Sequence, residues 1–126
     1  MTTKKETVNH LEMYEWLKSL EFYKGELKFW RLRLSEVVSR NTHNEVLREA
    51  EHFQNQVIIQ EENIDILRHD IKQFENHLEA WFDKHPKLDD AKLLEVESHL
   101  RDRMKTFEHI YVDIKHEYYN YLRKYM

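Results

Sequence analysis

Nine histidines and 24 carboxylate side chains in a chain of 126 residues supply the groups that could hold a metal ion or carry a proton. Such chemistry needs convergence. A di-iron site in a helical bundle takes two inward-pointing Glu-x-x-His pairs, and this chain has one, Glu49-x-x-His52. His109 and Asp113 stand four residues apart, a spacing that suits one surface ion on a helix. Cysteine is absent, which removes thiol nucleophiles, thiolate zinc sites and disulfide frameworks. One glycine and one proline leave no glycine-rich phosphate loop. They also leave too few turn residues for a sandwich or barrel.

The elements that would position these groups follow from hydrophobic spacing. Met13, Trp16, Leu20, Tyr23, Leu27, Trp30, Leu34 and Val37 recur at alternating intervals of three and four, the seam of a helix packed by heptads. A second seam runs from Val46 through Ala50, Phe53, Val57, Gln60, Ile64, Leu67, Ile71, Phe74 and Leu78 to Trp81. A third runs from Leu93 through Glu97, Leu100, Met104, Phe107, Tyr111, Ile114, Tyr118 and Tyr121 to Tyr125. The phase breaks twice. Extending the first seam would bury Asn41, Asn44, Arg48, Glu51 and Asn55, and extending the second would bury His85, Lys92, Glu95, His99 and Asp102. Unpartnered, such groups cost several kcal/mol each, so the helix ends at each break.

Local chemistry agrees. Thr3 with Glu6, and Thr42 with Glu45, read as capping boxes. Asn41 suits a left-handed C′ position, while Pro86 stops a helix before Asp89 or Asp90 starts the next. The expectation is an all-α single domain, residues 1–126, folded as an up-down-up antiparallel three-helix bundle with helices near 3–40, 43–84 and 87–125.

In that frame the histidines disperse. His69, His109 and His116 oppose the seam, His52 and His99 also face out, and His10 and His77 flank it. Glu97 is the one inward carboxylate, close to a bundle end where it can reach water or a basic side chain. The sequence therefore predicts no catalytic residue, no metal ligand set and no cofactor. Its net charge of −4 is uneven: residues 49–83 carry nine acidic and two basic side chains. Lys24, Lys28, Arg31, Arg33, Arg40 and Arg48 gather near the first turn, but Glu26, Glu36 and Glu45 interrupt them, so the chain is not expected to bind nucleic acid. No apolar run approaches the ~20 residues of a membrane span, and the first residues lack the apolar core of a secretory signal. A cytoplasmic location is the expectation.

Two features exceed what one core requires. The polar Gln60 falls at a seam position level with Tyr23 and Tyr111, suggesting a buried hydrogen-bonded layer that fixes helix alignment. Outside the seam, Phe22, Gly25, Phe29 and Leu32 make a second stripe on the first helix, with Ile58, Ile59, Val112, Tyr119 and Leu122 in the same half of the bundle. Exposed apolar surface on that scale marks an interaction site. The expected function is a non-enzymatic helical interaction or scaffold module that forms a homodimer, or binds a helical partner, through this face. The alternative is a bundle binding a small molecule or metal at the Tyr23/Gln60/Tyr111 layer or at the tyrosine-rich end of the third helix.

Overall fold

The computed structural model describes the backbone of residues 4–84 and 90–125 and the side chains of residues 10–78 and 92–125. Three α-helices occupy them: α1 (Lys4–Arg40), α2 (Asn44–Lys84) and α3 (Asp90–Tyr125). Bonds between helices give their directions. Lys24 meets Asp65 and Arg31 meets Glu61, partner numbers falling as α1 rises, so α1 and α2 are antiparallel. Glu12 meets Arg101 and Glu26 meets Lys115, so α1 and α3 run the same way. The molecule is the up-down-up three-helix bundle expected from the seams.

The core is the seam. Met13, Leu20, Leu27, Leu34, Ile64, Ile71 and Leu78 are inaccessible to solvent, and Trp16, Tyr23, Leu93, Ile114 and Tyr125 pack against the core half-buried. Rings concentrate between α1 and α3: Trp30 stacks on Tyr111 and Tyr118 at centroid distances of 5.4 and 4.5 Å. Phe53 of α2 meets the edge of Tyr118 at 5.6 Å. Two phenols tie helix to helix through backbone, Tyr118 donating to the Trp30 carbonyl at 3.0 Å and Tyr121 to the Val46 carbonyl at 2.8 Å.

The first turn between helices differs from expectation in detail. No described residue has a positive φ, so Asn41 does not take the left-handed conformation. Its side-chain amide instead donates to the Val37 carbonyl at 2.8 Å, satisfying an end carbonyl directly. The His43 carbonyl accepts from the Leu47 amide at 3.1 Å, which makes His43, not Thr42, the N-cap of α2. The Thr3/Glu6 pair, Trp81, Pro86 and Asp89 lie outside the described residues or side chains.

Candidate association surface

The seam turns the intervening positions of α1 outward, and there Phe22, Phe29 and Leu32 are 61%, 55% and 63% exposed. An amphipathic helix that served only its own core would carry polar groups at these positions. Gly25 lies between the two phenylalanines. Glycine inside a helix costs about 1 kcal/mol relative to alanine, and nothing within the protomer requires it here. Its φ is not positive, and a Cβ added to it would meet no atom within 4 Å. Gly25→Ala should therefore raise the protomer's stability by about 0.5–1 kcal/mol, read as a higher denaturation midpoint under dilute conditions.

The nine residues expected to form one surface divide among the faces of the bundle. Phe29, Tyr119 and Leu122 line a shallow groove between α1 and α3 whose floor is Trp30 and Tyr118. Phe22 and Val112 are exposed one to two turns earlier on the same two helices. Arg33 and Lys115 lie over the rings of Phe29 and Tyr119 at 5.0 and 5.6 Å, a cation–π arrangement that sets two cations at the border of the patch. Ile58 lines a different groove, between α1 and α2, with Arg31 and Ser35. Ile59 shares its heptad position with Ile66, which lines the groove between α2 and α3. In a three-helix bundle adjacent residues on one helix fall to different neighbours, and level alone could not separate them.

Tyr23 and Tyr111 come together between α1 and α3, whereas Gln60 precedes the Glu61 that meets Arg31, about two turns further along α1 than Tyr23, and the expected three-residue layer does not form. The two rings lie 4.4 Å apart. Tyr23 donates to a Glu108 carboxylate oxygen at 2.8 Å, and Tyr111 to Glu26 at 2.6 Å, where Lys115 holds the other oxygen at 2.9 Å. Burial, and after it the bond to the carboxylate, pushes the Tyr23 phenol up to about 12 and drives that of Tyr111 higher still. Both rings therefore stay protonated as donors. Sequence reasoning missed Glu26 and Glu108 because it matched seam positions with one another. A phenol is long enough to cross the seam and end at the rim, where flanking carboxylates stand.

Gln60 is left buried with no hydrogen-bond partner for its amide oxygen. An unsatisfied buried acceptor costs about 1–3 kcal/mol, so Gln60→Leu should stabilise the fold by about 1–2 kcal/mol. A higher melting temperature would show it; a lower one would mean that the amide contributes to stability.

Glu97 is buried at the same end of the bundle as Glu12. Arg101 bridges the two carboxylates at 2.9 and 2.5 Å, while the second Glu97 oxygen has no partner. Burial, reinforced by the neighbouring Glu12 charge, raises the Glu97 carboxyl above the ordinary glutamate range, against the opposing pull of Arg101. The folded state thus holds a proton that the unfolded state has released, and stability should fall as pH rises from the ordinary glutamate value through the raised one. Glu97→Gln should flatten that part of the pH–stability curve and stabilise the protein at neutral pH by about 1 kcal/mol, measured by denaturant unfolding at several pH values.

His109 and Asp113 are 3.7 Å apart but largely exposed. Among the described residues no group of three or more histidine or carboxylate side chains is placed to hold a metal ion. Comparison with protein-family models, curated proteins and solved structures gives no match.

Proposed function

We propose that the protein is a non-enzymatic helical interaction module that associates with a second copy of itself through the aromatic-aliphatic face of α1, bordered by α3. The observation that carries this reading is the exposure of Phe22, Phe29 and Leu32 around Gly25. With Val112 and Tyr119 these side chains leave on the order of 500 Å² of apolar surface wet, the upper end of what soluble monomers tolerate.

Other surfaces offer less. Lys24, Arg31 and Arg33 of the basic cluster are each paired with a carboxylate, which dilutes the positive face that nucleic acid would need. The phenols of Tyr23 and Tyr111 are already engaged by Glu108 and Glu26, which counts against a small-molecule site built on them. No helix of the described residues is long and apolar enough to cross a membrane.

Light scattering over a concentration series tests the reading. The expected result is a mass that rises from the 15.8 kDa of one chain toward twice that value. A mass fixed at that of one chain up to high concentration would overturn self-association.

A further inference from the structure

We infer that the second copy docks antiparallel on α1, with the two-fold axis passing beside Gly25; this rests on the reading that the α1 stripe is an association surface. Phe22, Gly25, Phe29 and Leu32 follow one another at intervals of three, four and three, which is itself the pattern of a helix–helix seam. The residues that flank this outer seam decide direction. On one side stand Glu21 and Lys28, on the other Glu26 and Arg33.

A parallel pairing brings each flanking residue beside the one five positions later on the second copy. Glu21 would then meet Glu26, and Lys28 would meet Arg33, so both contacts repel. An antiparallel pairing sets the Glu21/Lys28 side against its own counterpart. Glu21 of each copy then meets Lys28 of the other, twice by symmetry. Glu21 and Lys28 are exposed and have no ion-pair partner among the described residues, whereas Glu26 is already held by Tyr111 and Lys115 and Arg33 by Glu36. The unused charges are the complementary ones.

The same arrangement gives Gly25 a role. The midpoint between Glu21 and Lys28 falls beside it, so the backbones approach most closely where the side chain is missing. Phe22 of one copy then enters the space over Gly25 of the other and packs against its Phe29. The glycine that the protomer does not need becomes the hole that receives a ring.

The chain has no cysteine, so spin labels can be placed singly at Leu11→Cys and Ser39→Cys, both exposed and equally far from Gly25 along α1. With a rise of 1.5 Å per residue, an antiparallel dimer puts equal labels about 40 Å apart, and brings a label at 11 close to one at 39 in a mixed dimer. Short distances between equal labels would overturn the orientation in favour of a parallel pair. A dimeric mass without the short mixed distance would overturn it too, while leaving self-association standing. A monomeric mass would overturn both. As a second readout, Glu21→Lys should weaken association about fivefold and the added Lys28→Glu should restore it. In a parallel pair Glu21→Lys would instead tighten association, so tightening or no change overturns the proposal.

Discussion

A Phe22→Glu, Phe29→Glu double variant is expected to stay monomeric at concentrations where the wild type associates, with self-affinity lowered by at least a hundredfold. Both rings are more than half exposed, so their replacement removes only rim contacts, the edge of Phe22 on Tyr23 and the Phe29 ring under Arg33. Glutamate is a better helix former than phenylalanine, and surface substitutions away from special contacts stay within about 0.5 kcal/mol. Helicity and melting temperature, measured in dilute solution, should therefore change little while sedimentation reports the lost association. If the variant melts instead, these rings cover part of their own core in solution, and the apolar face is structural.

Trp30→Ala is expected to act oppositely, damaging the fold itself. The indole is buried between Tyr111 and Tyr118, with both rings stacked on it. Truncating a buried tryptophan costs about 3–5 kcal/mol in lost burial and residual cavity, a large share of the 5–15 kcal/mol that holds a domain together. A fall in melting temperature of about 15 °C follows from that loss. The Tyr118 hydroxyl bond to the Trp30 carbonyl involves backbone and can survive the change. Trp30→Phe keeps an aromatic face and should recover more than half of the loss in a denaturant titration.

The fold was legible because its information is one-dimensional. A seam residue is buried whenever its phase is right, and Met13, Leu34, Ile71 and Tyr118 are buried as their phases require. Helix ends were legible to within a few residues, but their chemistry was not. Asn41 caps α1 through its side chain, and α2 takes its first helical bond on the His43 carbonyl, choices that depend on backbone geometry a residue type does not determine. The candidate site was legible in part for the same reason. Periodicity marks Phe22, Phe29 and Leu32 as outward, and they are exposed. It says nothing about which neighbouring helix flanks them, so Ile58 and Ile59 were grouped with residues on other faces. The bonds of Tyr23 and Tyr111 to Glu108 and Glu26 join residues 85 positions apart, a distance over which seam phase carries no information about rim partners.

Hydroxyl-radical footprinting of the wild-type chain, read by mass spectrometry at dilute and at high protein concentration, distinguishes an α1 face that becomes covered from one that stays free. Phe22, Phe29 and Leu32 are expected to be oxidised readily when dilute and protected when concentrated. Ile66, similarly exposed but facing the α2/α3 groove, should be oxidised equally at both concentrations. Equal oxidation of Phe22 and Phe29 across the series would contradict the assignment of the α1 face as the surface through which this protein associates.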